Sequence, residues 1–270
     1  MSSPLWWKQF YAAERTSLGK KYLESLILDA PLLTLPARGA LIFPHTRLAV
    51  SGYHTAAVAR AVIESGCDII LALGVLHGVP RNPELRGIHG PGMPNDMAIW
   101  SEEFSLDNFE VMLETAARIL SKPMPRLIMR YPLLTGSEPA SLPRYDELLR
   151  EVANGAALVA TADMIHHGVG YDTPVENQLA IGEEALDMAD RMIRQMLADL
   201  GVHDYTGFLR HSEQARSDFR DGGPVVAELL GRKSLKSELH DLMLVDYSEA
   251  LGSPAPMWVA AALASMTNDE

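Results

Sequence analysis

The chain is poor in cysteine: Cys67 is the single thiol among 270 residues. One thiol excludes an internal disulfide and any zinc site built from several cysteines, and it fits a reducing compartment. Its place beside an apolar run suggests core packing rather than reactivity. Positive charge is scarce as well, with 23 lysines and arginines against 35 aspartates and glutamates and a net charge of −12. That balance argues against a nucleic-acid backbone or an anionic membrane surface as partner, because both attract clustered Lys and Arg. A small molecule is the expected ligand. No apolar run approaches about 18 residues, so no membrane span is expected. The first residues, including Trp6, Trp7, Phe10 and Tyr11, lack the basic start and apolar core of a signal peptide, and a cytoplasmic location is expected. Repeats and low-complexity linkers are missing too. With 47% hydrophobic and 21% charged residues, the composition is that of a globular protein, and one domain over 1–270 is expected. Homo-oligomerisation is left open.

What is present is an alternation of strand and helix signals. Short continuous apolar runs at 40–43, 68–73 and 157–162 read as strands covered on both faces, the habit of parallel sheets. A further strand is expected at 126–131. Helices are expected at 13–28, 53–65, 105–120, 145–152 and 175–200, and over 223–230, where Pro224 suits a first helical turn. Residues 242–247 read as a strand, while 257–266 fit either a strand or a helix. The Pro- and Gly-rich stretch 79–94 reads as a long excursion from a strand end, a usual place for function. The expected architecture is a single α/β domain with a central, largely parallel sheet flanked by helices.

Three of the nine histidines, His45, His77 and His166, each follow one of these apolar runs. A single histidine at a strand end is more often a hydrogen-bonded structural residue. Three in equivalent positions weigh toward a site, because the ligand crevice of an open α/β sheet lies outside the carboxyl ends of its strands. Pro44, Gly74, Gly78 and Gly168 flank the three, and such residues break regular structure and let backbone approach a ligand. Convergence of the imidazoles there would make a metal or acid/base site.

The local motifs are similar to those of the Memo-like family, whose fold is related to the class III extradiol dioxygenases. Gln9-Phe10-Tyr11 resembles the family's Gly-x-Phe-Tyr-Pro element, and residues 44–52, beginning Pro44-His45, resemble its Pro-His-Ala-Gly-Tyr-x-Tyr-Ser-Gly signature. Gly74 to His77 resembles Gly-Pro-x-His, Glu103 to Asp107 resembles Glu-His-Ser-Ile-Glu, and Asp163 to Gly168 resembles Ser-Asp-x-x-His-x-Gly, with Ala162 in place of the serine. The resemblance implies a class III extradiol dioxygenase-like fold. It implies His45 and His77 as metal ligands, His166 as an acid/base group and Asp163 as its neighbour. Iron(II) is the implied metal, with copper or another divalent transition metal as alternatives. Imidazole and carboxylate ligands with open positions suit that chemistry, and histidine moves protons near neutral pH.

The third ligand is less direct. Where Memo-like proteins often carry a cysteine, an ungapped match places Arg220, which stays protonated and cannot ligate. Asp218 or Asp221 would supply the carboxylate, or would instead cap the helix near Gly223. Phe104 stands where the family has a second histidine. Arg47 would pair with a substrate carboxylate or lie on the surface. His54 reads as packing or solvated, His167 as pointing away from the crevice, and Met188, Met192 and Met196 as core. Arg81, Arg86 and His89 would recognise an anion or belong to a solvated loop.

Three functions follow as expectations. The first is a non-haem iron(II) oxygenase acting on a small metal-chelating substrate, catechol- or aminophenol-like by family analogy. The second is a Memo-type metal-binding redox or interaction protein without turnover. The third is a metal-dependent hydrolase with His166 as base.

Overall fold

Every residue of the run 39–43 is buried, and its side chains divide by parity between two apolar clusters. Ala40 and Ile42 enter one, Leu41 and Phe43 the other. Leu71 and Leu73 against Ile70 and Ala72 repeat the division, as do Leu158 and Ala160 against Val159. Strand side chains alternate across a sheet, so a strand that is apolar throughout needs cover on both faces. Each of these Leu or Ile side chains, once buried, contributes roughly 1.5–3 kcal/mol.

The computed structural model describes residues 3–93, 100–231, 233–254 and 256–268. In chain order its elements are α1 (Pro4–Asp29), β1 (Gly39–Phe43), α2 (Leu48–Ser65), β2 (Ile69–Leu73), β3 (Gly87–His89), α3 (Asp107–Leu120), β4 (Arg126–Leu133), α4 (Tyr145–Ala153), β5 (Ala157–Thr161), β6 (Asp163–Gly168), α5 (Glu183–Gly201), α6 (Tyr205–Ala215), α7 (Phe219–Leu229), β7 (Lys236–Asp246), α8 (Ser248–Leu251) and β8 (Met257–Thr267). The two clusters lie on opposite faces of the sheet. Ile27 of α1, Val62 of α2 and Phe109 of α3 pack into one. Leu148 of α4, Ile193 of α5, Phe208 of α6 and Phe219 of α7 pack into the other. The protein is thus one α/β domain with a mixed sheet that is parallel at its centre.

β4, β2, β5 and β1 form that parallel centre. β3 closes one edge antiparallel to β4, and β8 joins the other antiparallel to β1. β7 pairs along nearly all of β8, from Lys236 opposite Thr267 to Asp246 opposite Trp258. β1 and β6 must therefore share the other edge of β8, where β1 pairs with residues 264–267 and β6 with 257–261, end to end. The chain leaving β5 steps sideways at Ala162, whose N–H donates to the Phe43 carbonyl at 2.8 Å, and runs on as β6 where β1 has stopped. This handover opens a crevice beyond the carboxyl end of β1.

The strands expected at 40–43, 68–73, 126–131, 157–162 and 242–247 all contain or overlap observed strands. The ambiguous segment 257–266 is strand, buried along its length. Four helix starts need correction. Those expected from 13 and 53 begin at Pro4, where the Ser3 side chain accepts from the Trp6 N–H as a cap, and at Leu48, whose N–H donates to Glu14. The helix expected from 175 begins at Glu183: Val175–Asn177 is a single 3₁₀ turn, and Val175, 80% exposed, has no core to join. The helix expected from 223 begins at Phe219, because Phe219 buries its ring against Phe208 and so anchors an earlier first turn. Pro224 then lies inside α7 rather than at its start. The excursion 79–94 holds the 3₁₀ turn Pro83–Leu85 and β3, while Pro94 falls outside the described residues.

At the end of β6, Gly168 has φ +107 and ψ −166, a conformation open essentially to glycine alone. A Cβ there would run into the Pro256 carbonyl. Gly168→Ala is expected to cost about 3 kcal/mol through strain and overpacking. Urea unfolding of the variant beside the parent measures it.

Candidate metal centre

His45, His77, Asp163, His166 and Asp218 meet in the crevice, on the wall of a cavity of about 610 Å³. Strand ends set His45 and His77 in place, whereas His166, expected just past the strand at 157–162, lies within the next strand, β6, which Asp163 opens, and Asp218 sits at the start of a helix. His45 follows β1, and its backbone N–H donates to Asp163 Oδ1 at 3.2 Å across the handover. His77 follows β2, and His166 lies on β6, facing the cavity while His167 points to the opposite side. Asp218 is the N-cap residue of α7.

The three imidazoles share one arrangement. His77 Nδ1 donates to Glu103 Oε1 at 2.9 Å, and His166 Nδ1 donates to the Arg216 carbonyl at 2.8 Å. His45 Nδ1 lies 3.2 Å from Thr161 Oγ1. For His77 and His166 the acceptors can only accept, so Nδ1 carries a proton and Nε2 is the nitrogen that faces inward, the one that would give up its own proton to a metal. The Nε2 atoms of His45, His77 and His166 lie 3.4, 3.4 and 3.5 Å from Asp218 Oδ2. Binding one ring nitrogen and tying the other to a carboxylate or carbonyl is how metal-ligating histidines are held.

Asp218 completes the pattern. An N-cap aspartate normally accepts a backbone N–H of the first turn, yet Asp218 makes no such capping bond, and its buried Oδ2 has no hydrogen-bond partner among the described residues. A buried carboxylate oxygen without a donor is costly unless a cation meets it. The donor set fits a divalent transition metal: ligand atoms of His45, His77 and Asp218 all lie within 4.8 Å of one another, and Asp163, His166 and Asp218 form a second set of that kind. Imidazole nitrogens with one carboxylate are ligands that suit iron(II) and its neighbours.

Electrostatics follow from this crowding. Burial alone would raise the Asp218 carboxyl, but His166, His45 and His77 outweigh it and hold the group well below its usual range. For His77, burial is outweighed by Glu103 and Asp218, and the imidazole rises well above its ordinary value. Glu103 is buried, which pushes it up, yet His77 and backbone amides bring it down to about 2. Asp163 is raised by burial, only partly offset by His45 and His166.

Glu103 is the residue that motif reading quoted without assigning a role. Its carboxylate also accepts from the backbone N–H groups of His77, Phe104 and Ser105, at 2.7, 2.8 and 2.9 Å. It therefore fixes both the ring and the backbone of His77. Phe104 stacks on His77, with ring centroids 4.4 Å apart. The Tyr11 and Tyr247 hydroxyls, 2.7 Å apart, and the Tyr171 ring, 4.7 Å from His166, bound the cavity. No spacing rule linked these aromatic residues to strands so distant in sequence.

Of the two aspartates left open, Asp218 reaches the cluster and Asp221 does not. Asp221 Oδ1 accepts from Arg81 at 2.8 Å and from the Leu134 N–H at 3.1 Å, turning its carboxylate toward the loop. Arg220 pairs with Glu213, and Arg47 with Glu14. Arg86 and His89 bond within their own neighbourhood, to Ser141 and Leu85. His167 stacks on Trp258 and accepts from the Leu179 N–H at 2.8 Å. Met196 is core, with Met188 and Met192 packed against it, and Cys67 borders the other cluster. His54 is fully buried on α2, its Nε2 3.0 Å from Asp241 Oδ2.

Searched against known proteins, the chain matches no family model and no curated protein.

Asp218→Ala is expected to lower affinity for a divalent transition metal by about 100-fold or more, while Asp221→Ala keeps it. Glu103→Gln, which frees His77 without removing a ligand, is expected to cost about 10- to 100-fold. Metal titrations of the three purified variants check both statements.

His54 provides a stability test away from the cluster. Burial lowers its pKa, with Asp241 opposing. A base whose folded-state pKa lies below the unfolded value of about 6.5 binds fewer protons when folded. Its contribution is therefore intact above about pH 6.5 and is lost as pH falls through the folded value. His54→Gln is expected to flatten the decline in stability below about pH 6.5 relative to the parent, as read by urea unfolding across that range.

Proposed function

We propose that the protein is a non-haem iron(II) oxygenase of the Memo-like and class III extradiol dioxygenase type, acting on a small metal-chelating substrate. One observation carries the reading: the Nε2 atoms of His45 and His77 and the Oδ2 of Asp218 converge at one wall of a cavity large enough for a single-ring substrate. Two histidines and a carboxylate are the ligand set of non-haem iron oxygenases, and they leave coordination positions open.

In this reading His45, His77 and Asp218 hold the metal. When bound, iron(II) supplies the chelation of the substrate and the redox chemistry that uses dioxygen. The rest falls to the protein's own groups. His166, in its separate set with Asp163 and Asp218, takes a proton from the chelating substrate at Nε2 and returns it later; its Nδ1–H stays on the Arg216 carbonyl and keeps the ring oriented. Glu103 holds the His77 ring, and Asp163 holds the backbone of His45. Phe104, Tyr11 and Tyr247 wall the cavity with aromatic surface against which a substrate ring would pack.

After anaerobic purification, the protein is expected to retain iron and to consume oxygen when given a catechol or an aminophenol. Metal without substrate-dependent oxygen uptake would favour a binding role, and hydrolysis without uptake the hydrolase. His166→Gln is expected to lose about 10²- to 10⁴-fold in turnover with metal content and melting temperature kept. A variant that loses stability but keeps activity per folded molecule would make His166 structural.

A further inference from the structure

The cavity over the cluster is rich in acidic groups: Asp163, Asp172 and Asp218 all line it. One fixed cation among the described residues that line it opposes them, Arg216. Arg47, which sequence reading offered as the partner of a substrate carboxylate, is bonded to Glu14 at 3.2 Å and is not among those lining residues.

Arg216 occupies an unusual backbone position. It ends α6 at φ +52, a left-handed conformation that glycine or asparagine takes readily and that costs other residues roughly 1–2 kcal/mol. Its carbonyl holds His166, which any residue there would do. Its side chain is what an arginine adds. One guanidinium nitrogen, Nη2, donates to the Asp172 carbonyl at 2.6 Å, which steadies the group. A guanidinium has five N–H donors, and that is its one hydrogen bond to a described residue, so donors remain. Asp218 stands two residues on, so the guanidinium and the cluster carboxylate ride on one short segment.

We infer that Arg216 anchors an anionic group of the ligand, so that the cavity selects small chelators carrying a carboxylate or similar anion away from their metal-binding atoms. The chelating end of this inference rests on the metal-site reading above; the anionic end rests on Arg216. A guanidinium grips a carboxylate through two parallel N–H···O bonds, which are stronger than neutral ones and have fixed geometry.

The test uses the protein loaded with zinc(II), which has no redox chemistry. It is titrated calorimetrically with a dihydroxybenzoate and with the matching uncharged dihydroxybenzamide. The acid is expected to bind about 10-fold or more tightly than the amide, the range of a charge-assisted hydrogen bond. Arg216→Asn tolerates the left-handed backbone and keeps the carbonyl for His166; it is expected to abolish the preference and leave amide affinity unchanged. If that variant loses metal, Arg216→Lys, which keeps charge without the fork, is read in its place and is expected to reduce the preference several-fold. Equal binding of acid and amide by the parent, or a preference that survives in the variant read, overturns the anchor while the metal site stands. Binding of neither probe overturns the chelation reading and the anchor with it.

Discussion

A carboxylate oxygen buried without a hydrogen bond is the constraint around which this protein is arranged. Asp218 Oδ2 sits between three imidazoles at 3.4–3.5 Å and accepts from no described group. Left alone in a low-dielectric interior such an oxygen would be protonated or exposed. Here positive character from His166, His45 and His77 keeps it ionised. The position adds to this, because the amino end of α7 favours negative charge. The arrangement is therefore poised for a cation, and the surrounding hydrogen bonds serve to keep it so.

Those bonds form a graded support. Glu103 accepts four hydrogen bonds from the segment ends that carry His77 and Phe104, three at Oε1 and one at Oε2, and so stays ionised in a buried place. Thr161 and Arg216 do for His45 and His166 what Glu103 does for His77, with neutral oxygens in place of a charge. The three rings are thus held from behind, and their free nitrogens have one direction to face. Rigid second contacts of this sort are what let a cluster wait for a metal without collapsing on itself.

The sheet explains why these groups meet. Parallel strands deliver their following loops to one edge of the sheet, which brings His45 and His77 together. The sideways step from β5 to β6 adds Asp163 and His166 to the same crevice by letting one chain continue where another ends. A plain parallel strand in that place would have ended at 161 and left its loop to find its own way. β8, buried from Met257 to Met266 and paired on both edges, holds the two half-length strands in line.

Much of this was legible in the residues themselves. Continuous apolar runs such as 68–73 and 157–162 read as two-faced strands because burial on both sides leaves no place for polar alternation, and histidines just past them read as site candidates because ligands bind outside the carboxyl ends of such strands. Two of the boundaries that failed were set by distant partners: Phe219 starts α7 early because Phe208 is there to receive it, and Val175 stays outside a helix because no core faces it. The choice between Asp218 and Asp221 had the same character. Three residues apart, they are alike in local sequence, and one faces the cluster because Arg81 and the Leu134 amide claim the other. Sequence determined the central strands and that His45 and His77 would stand at the ends of two of them, since those depend on local periodicity; that His166 lies within a further strand, β6, was set by its pairing with β8. Tertiary structure alone decided which carboxylate joins them, which arginine faces the cavity and which groups hold the rings, since those depend on contacts between residues far apart in the chain.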